Sequence, residues 1–287
     1  MTAGGENTGL FGAPADLRGG RVRSRDGTLL GYLSVGDGPV LLCLHGALAW
    51  GADWLPVARL LADDYTVLML DRRGHGSSDA GVGGHDLQCE IDDIAAVLDA
   101  VGPAEAMLAH SFGAVVGMHA AAQLPPESFG GLVLYEPPLA ATAQVARTLH
   151  GLSANVADGA YERCVTEAVK DMIGFSDTEI AMMRRNPRTW AAMVSLAPSL
   201  VTQAKILDQV GGSADGLQGI VQPAVVLLGE ASPWDPFGIS ARMVTDALPS
   251  SDTVVLAGQT HSALIQAPDL VADAVRRFLR RLPREGR

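Results

Sequence analysis

Short apolar runs alternate with amphipathic stretches along most of the chain. The runs predict strands buried on both faces of a sheet, and they occupy residues 40–44, 66–70, 104–108, 131–135, 224–228 and 253–256. Apolar positions at helical spacing predict helices at residues 54–61, 87–101, 114–123, 239–248 and 268–282. Because strands and helices alternate, we predict an α/β protein whose mostly parallel sheet is covered by helices on both faces.

The alternation is interrupted near the start and in the middle of the chain. Asp26 and Gly27 separate runs at residues 22–25 and 29–35, which predicts a β-hairpin. Between residues 139 and 218 no run is typical of a strand, and the spacing predicts helices at residues 143–157, 161–173, 177–185 and 189–207. We therefore predict a flexible N-terminal segment (1–20), a core domain (21–138 and 219–287) and an inserted helical domain (139–218).

The composition is typical of a globular protein. Hydrophobic residues make up 48% and charged residues 18% of 287 residues, which is enough to build a buried core. No apolar stretch reaches the roughly 18 residues that span a bilayer, and the first residues lack the pattern of a secretory signal, so we expect a cytoplasmic protein. Cys43, Cys89 and Cys164 are widely spaced, which argues against a disulfide framework or a zinc site.

The charge pattern points to a small-molecule ligand. The net charge is −11, and the one basic cluster follows the helical spacing of the last helix, at Arg276, Arg277, Arg280 and Arg281. We assign that cluster to a solvated helix face. Because an acidic protein repels polyanions, we expect no nucleic-acid partner and no membrane partner. Neither a monomer nor a homodimer is favoured.

The candidate chemistry centres on Ser111. The apolar run at residues 104–108 is followed by Ala109-His110-Ser111-Phe112-Gly113 and then by the helical pattern of residues 114–123. This order matches a nucleophile elbow, in which a sharp strand-to-helix turn presents a serine oxygen above the sheet. Small residues are needed before and after the serine because the strand and helix backbones nearly touch there. Free N–H groups at the start of the helix would face developing negative charge.

Other short motifs occur in a consistent order with this elbow. They are His45-Gly46 after the third strand, the turn Asp71-Arg72-Arg73-Gly74-His75-Gly76-Ser77-Ser78 after the fourth, and a late histidine, His261. With these motifs, residues 22–282 resemble the α/β-hydrolase superfamily, in its serine-nucleophile, cap-bearing branch. The resemblance implies an α/β-hydrolase fold with an eight-stranded sheet and a helical cap inserted after strand 6. Ser111 argues against the haloalkane dehalogenase and epoxide hydrolase branches, which use a carboxylate nucleophile.

The resemblance also implies roles for the other motifs. It assigns the base to His261, because a serine hydroxyl needs a base within hydrogen-bond reach. His110 lies next to the serine on the elbow and cannot easily fold back on it, so we expect it to pack beside the site. The arginine-rich turn after strand 4 could bind an anion, but the resemblance favours a structural role.

The acid that orients the base departs from the commonest family pattern. The usual position after strand 7 is Ser232 here, and a serine carries no charge to stabilise an imidazolium. We choose Glu136, because it ends the sixth strand and two prolines fix the chain after it. Asp235 is the alternative acid, and Glu230 is a third candidate.

The remaining site residues come from the resemblance and from the composition of the insertion. The resemblance assigns the oxyanion hole to the backbone N–H groups of Ala47 and Phe112. The insertion is rich in methionine and apolar, so some of its residues should line a substrate pocket. The pocket candidates are His110, Leu48, Trp190, Met172 and Met193.

These residues predict a serine hydrolase that cleaves an ester, lactone or thioester of a small, largely apolar molecule through an acyl-enzyme. The same triad could instead hydrolyse a carbon–carbon bond next to a carbonyl, or carry out biosynthetic acyl transfer or cyclisation. A non-catalytic small-molecule receptor on the same fold is a further alternative. Because no metal cluster, phosphate loop or dinucleotide fingerprint occurs in a suitable context, we predict no cofactor and no metal.

Overall fold

The strands predicted from the apolar runs form one sheet. The computed structural model describes residues 16–81, 83–139, 142–210, 212 and 214–283. The sheet has eight strands in the order β1-β2-β4-β3-β5-β6-β7-β8. Their bounds are β1 Arg18–Arg23, β2 Leu29–Val35, β3 Val40–Leu44, β4 Thr66–Leu70, β5 Ala106–His110, β6 Leu132–Tyr135, β7 Ala224–Gly229 and β8 Ser251–Leu256. β2 pairs antiparallel with β1 and β4, and the remaining pairs are parallel, as predicted.

Helices cover both faces of this sheet. In chain order the α-helices are α1 Leu55–Leu61, α2 Leu87–Val101, α3 Phe112–Gln123, α4 Thr142–Ala157, α5 Tyr161–Asp171, α6 Asp177–Arg184, α7 Pro187–Ser195, α8 Ala197–Val210, α9 Ile239–Ala247, α10 Ala263–Gln266 and α11 Pro268–Leu279. Neighbouring strand residues serve opposite faces: Leu42 packs with residues of α2, α3 and α9, whereas Leu41 packs with residues of α1 and α11. Each fully buried leucine contributes about 1.5–3 kcal/mol of transfer free energy.

The sheet begins earlier than predicted. β1 starts at Arg18, inside the segment that we expected to be flexible, whose residues 1–15 lie outside the described part of the chain. Gly19 and Gly20 concealed the strand because glycine is uncommon in strands. Gly20 pairs with Tyr32, and a Cβ at Gly20 would come within 2.2 Å of the Tyr32 ring. Glycine therefore leaves room for the ring in the position that it occupies.

Helices α4 to α8 lie between β6 and β7, where the sequence predicts a helical insertion, and we call them the helical segment. They share an apolar cluster that includes Leu152, Cys164 and Leu200. The predicted helix at residues 189–207 is wrong as a single element, because α7 ends at Ser195 and α8 begins at Ala197. Pro198 explains the break, since proline fits the first turn of a helix but not its interior.

The helix boundaries are otherwise close to those predicted. The Ser176 hydroxyl accepts a hydrogen bond from the Glu179 N–H, and the Glu179 carboxylate accepts one from the Ser176 N–H, which makes a capping box at the start of α6. In the part of the chain that the structure describes, no helix combines the length and hydropathy needed to cross a membrane.

Candidate active site

The elbow around Ser111 has the geometry of a strained turn. Ser111 lies between β5 and α3 with φ +55° and ψ −125°, a conformation that side chains rarely adopt. Its N–H donates to the carbonyl oxygen of Tyr135 at 2.9 Å. A Cβ at Gly113 would come within 2.5 Å of the carbonyl oxygen of His45, so only glycine lets α3 start this close to β3.

A buried carboxylate contacts the predicted base. Glu136 directly follows β6 with φ +47°, and its side chain is completely buried. Its Oε1 accepts a hydrogen bond from the Gly229 N–H at 2.7 Å. Its Oε2 lies 2.5 Å from Nδ1 of His261, in the loop after β8. This arrangement suits an imidazole that carries its proton on Nδ1 and leaves Nε2 free to accept another.

The other acid candidates do not contact His261. Asp235 is exposed, because the turn at Trp234–Gly238 instead buries Phe237, whose ring stacks on His261 at 4.5 Å. Glu230 accepts a hydrogen bond from the Gly258 N–H at 2.8 Å and so ties the loops after β7 and β8 together. The Ser232 hydroxyl is buried and has no hydrogen-bond partner among the described residues. The structure thus brings Glu136 to His261 and leaves the alternative acid Asp235 apart from it.

His110 packs beside the site, as the resemblance implies. Its Nε2 lies 3.1 Å from the carbonyl oxygen of His261, and the two rings are 4.5 Å apart. Burial lowers the pKa of His110 well below its usual value, and the neighbouring His261 lowers it further. A neutral ring with its proton on Nε2 therefore donates to the backbone of His261.

Tyr135 is a residue that the sequence analysis missed. Its hydroxyl accepts a hydrogen bond from the Ala263 N–H at 3.1 Å and donates to the carbonyl oxygen of Thr260. Burial raises the pKa of Tyr135, and the adjacent Glu136 raises it further, so the hydroxyl stays protonated. The phenol holds both ends of the loop that carries His261. The sequence feature that could have indicated this role is a tyrosine at the end of a buried strand, because a buried tyrosine hydroxyl usually has a hydrogen-bond partner.

The loop after β3, residues 45–48, which we call the oxyanion loop after the role predicted for Ala47, packs directly against the elbow. A Cβ at Gly46 would lie 3.1 Å from the Cβ of Ser111, which is tighter than an ordinary contact. The next residue, Ala47, is one of the predicted oxyanion donors. The other is Phe112, the first residue of α3, whose N–H has no acceptor within its own helix.

The arginine-rich turn after β4 is buried and ion-paired. Arg72 and Arg73 are each 1% exposed, which does not suit a site for a free anion. Arg72 pairs with Glu90 at 2.8 Å, and Arg73 pairs with Asp93 at 2.6 Å. These contacts agree with the structural role that the resemblance favours.

The pocket candidates fall into two groups. Met172 packs against both the sheet's core and the cluster of the helical segment, and Leu48 packs against that same cluster. Trp190 and Met193 are buried in α7, and the Trp190 indole N–H donates to Glu162 at 3.2 Å. The first two are partly buried, whereas Trp190 and Met193 are buried, and Trp190 is a member of the cluster against which the first two pack. No three His, Cys, Asp or Glu side chains within the described ranges are grouped to hold a metal ion.

Comparison with known proteins places the chain in a family. A solved α/β hydrolase from Sphaerobacter thermophilus is 30% identical, covers 90% of this chain and 99% of that chain, and superposes with a TM-score of 0.80. A pimeloyl-[acyl-carrier protein] methyl ester esterase of Xanthomonas oryzae is 26% identical over 87% of this chain and 98% of the esterase. A 2-(acetamidomethylene)succinate hydrolase of Mesorhizobium japonicum is 36% identical, over 31% of this chain and 33% of that protein. Residues 41–274 match the profile of the Alpha/beta hydrolase family, and the chain belongs to that family.

Proposed function

We propose that the protein is a serine hydrolase that cleaves an ester, lactone or thioester of a small, largely apolar molecule. Ser111 is the nucleophile, His261 the base and Glu136 the acid. The observation that carries this proposal is the 2.5 Å contact between Glu136 Oε2 and His261 Nδ1. A serine held in a strained elbow between β5 and α3 supplies the matching nucleophile.

The reaction would proceed in two halves. The Ser111 oxygen attacks the substrate carbonyl carbon while its proton passes to Nε2 of His261, and the carboxylate of Glu136 stabilises the resulting imidazolium. The carbonyl oxygen takes up the electron pair and accepts hydrogen bonds from the Ala47 and Phe112 N–H groups. Collapse expels the leaving group, which receives the proton from His261. Water then repeats the sequence on the acyl-enzyme.

The proposed substrate class rests on the helical segment, which would act as a cap over the site. Met172 and Leu48 are partly buried apolar residues that pack against the cluster of this segment, and Leu48 directly follows the predicted oxyanion donor Ala47. A relative aligned over 87% of this chain is a methyl ester esterase, which favours an ester over a carbon–carbon bond. The partner is therefore a small apolar ester, with no cofactor required.

A fluorophosphonate probe tests this assignment, because it phosphonylates only an activated serine. We expect the probe to label wild type at Ser111, as mapped by mass spectrometry, and Ser111→Ala to remain unlabelled. Glu136→Gln should lower turnover of a p-nitrophenyl ester by about 10⁴-fold, since the base loses its orienting charge. Asp235→Asn is the matched control and should retain turnover. Folded wild type that neither labels nor turns over would rule out the proposed function.

A further inference from the structure

The Gly46–Ala47 peptide has a fixed orientation. In a trans peptide the carbonyl oxygen and the N–H point in opposite directions, so whatever holds the Gly46 oxygen also aims the Ala47 N–H. Two donors hold that oxygen: Nη2 of Arg72 at 3.1 Å and Nδ1 of His45 at 2.8 Å. Within the described ranges no acceptor takes the Ala47 N–H, so it is available to a ligand.

Arg72 also sets the tautomer of the second donor. The backbone N–H of Arg72 donates to Nε2 of His45 at 3.0 Å, so that nitrogen carries the lone pair and Nδ1 carries the proton. Burial lowers the pKa of His45 well below its usual value, and the positive charge of Arg72 lowers it further, which keeps the ring neutral. The bond from Nη2 therefore depends on the side chain of Arg72, and the bond from His45 on its backbone N–H.

The same guanidinium contacts the residue that carries the other predicted oxyanion donor. The Cζ of Arg72 lies 4.8 Å from the centre of the Phe112 ring, which fits a cation–π contact. Its Nε donates to the His45 oxygen at 3.1 Å, and its Nη1 donates to Glu90 at 2.8 Å. Each of the three guanidinium nitrogens thus donates to its own acceptor. A lysine ammonium could not reproduce this set of hydrogen bonds.

We propose that Arg72 is a positioning residue for the oxyanion hole, acting through the Gly46–Ala47 peptide. The inference rests on the proposed function, because it needs an oxyanion to stabilise. A bond from a charged donor to the Gly46 oxygen polarises the peptide, and hydrogen bonds in a chain strengthen one another by about 10–30% each. The Ala47 N–H is thereby both aimed and made a stronger donor. Arg72 would thus affect the reaction through the peptide that it holds, without touching the substrate.

The chain supplies a matched control in the next residue. Arg73 is equally buried and donates to Asp93 through Nε at 2.7 Å and Nη2 at 2.6 Å. The other acceptors of its guanidinium are Asp26 and the Cys89 carbonyl oxygen, so this side chain bonds neither to the oxyanion loop nor to Phe112. Lysine at either position replaces a buried guanidinium that is paired with a carboxylate. Only at Arg72 does this replacement also remove hydrogen bonds to the oxyanion loop.

The test compares Arg72→Lys with Arg73→Lys in steady-state hydrolysis of a p-nitrophenyl ester. It also measures the affinity of each variant for a boronic acid that forms a tetrahedral adduct with the serine. Removing one oxyanion donor outright lowers turnover about 10²- to 10³-fold, so misaiming one should lower kcat about 10- to 100-fold with KM changed less than about threefold. Boronic acid affinity should fall in parallel. Arg73→Lys should keep kcat and boronic acid affinity within about threefold of wild type, because its guanidinium bonds to neither residue that carries a predicted oxyanion donor.

Equal losses of kcat in the two variants, or a loss confined to KM, would overturn the inference. If Arg72→Lys does not fold, Glu90→Gln replaces it, because that change loosens the guanidinium without removing it, and Asp93→Asn is its control. We then expect kcat to fall about threefold to tenfold in Glu90→Gln alone, in line with a weakened charged hydrogen bond. Equal kcat in that pair would also overturn the inference. Wild type without turnover or labelling contradicts the proposed function instead.

Discussion

Two side chains of the site sit on backbone that normally favours glycine. Among the described residues other than glycine, only Ser111 and Glu136 have positive φ, at +55° and +47°. Such conformations cost about 1–3 kcal/mol each and persist where surrounding contacts hold them. The N–H of Glu136 donates to the Leu227 oxygen at 3.0 Å, and that of Ser111 donates to the Tyr135 oxygen at 2.9 Å. The neighbouring strands therefore maintain the strain at both positions.

Ser111→Gly should make the protein more stable and inactive. Glycine adopts positive φ without the Cβ clash, so we expect the free energy of unfolding to rise by about 1 kcal/mol. Urea denaturation measures this change. Ser111→Ala is the control, because alanine keeps the Cβ and should leave stability within about 0.5 kcal/mol of wild type. If the alanine variant gained as much as the glycine variant, backbone strain would not be the cause.

Motifs predict some residues of the candidate site, whereas others are found only from their contacts in the fold. Ser111 and His261 follow from short patterns, and Glu136 followed from the uncharged Ser232 at the usual acid position. The ring of Phe237 on His261 could not be predicted, because nothing local in the sequence says which side chain of a turn faces inwards. The bonds of the Tyr135 hydroxyl likewise depend on a loop more than a hundred residues away.

At the scale of elements, α3 begins very close to the end of β3. A Cβ on Gly113 would meet the His45 oxygen at 2.5 Å and the Leu44 oxygen at 3.0 Å, both of them backbone atoms. Neither atom can move without displacing the strand or the oxyanion loop. The close spacing of α3 and β3 therefore depends on the absence of a Cβ at Gly113.

Gly113→Ala should destabilise the fold and disturb the site together. Overpacking of this kind costs about 1–3 kcal/mol, and we expect a matching fall in the midpoint of urea unfolding. Gly84→Ala is the control, because a Cβ at Gly84 meets nothing within 4 Å. A Gly113→Ala variant as stable as Gly84→Ala would contradict the close approach seen here.

Periodicity predicted most elements because most of them bury a complete face. It misplaced the ends of elements where a single residue type, glycine or proline, decides the local structure. Two glycines hid the start of β1, where Gly20 makes room for the Tyr32 ring. Pro198 divides α7 from α8, although the apolar spacing continues across the break. Hydrophobic spacing registers neither exception, because one is the space that an aromatic ring occupies and the other is the backbone restriction of proline.

For the whole molecule, buried histidines link stability to pH. Burial and the charge of Arg72 lower the pKa of His75 to about 4, from 6.5. A histidine whose pKa is lowered by folding contributes stability that is present above pH 6.5 and is lost as the pH falls towards 4. His45 acts in the same direction. Asp53 acts in the opposite direction, because burial raises its pKa to about 6.

The contribution of His75 can be separated by comparing pH slopes. We expect the free energy of unfolding of wild type to fall more steeply between pH 6.5 and 4 than that of His75→Gln, by up to about 1 kcal/mol per pH unit. Urea unfolding at several pH values in this window measures both slopes. Parallel slopes would mean that His75 binds a proton equally well in the folded and unfolded chain.

The proposed triad joins distant parts of the chain, and the bond between Glu136 and His261 connects residues 125 positions apart. Closing a loop of this length costs conformational entropy, so we expect the contact to form late in folding, after the intervening strands have paired. Until then Ser111 is an ordinary alcohol, even in a chain whose helices have already formed. The rate of phosphonate labelling during refolding should therefore report only molecules in which Glu136 has reached His261. Far-UV circular dichroism, in contrast, also reports partly folded molecules whose helices have already formed.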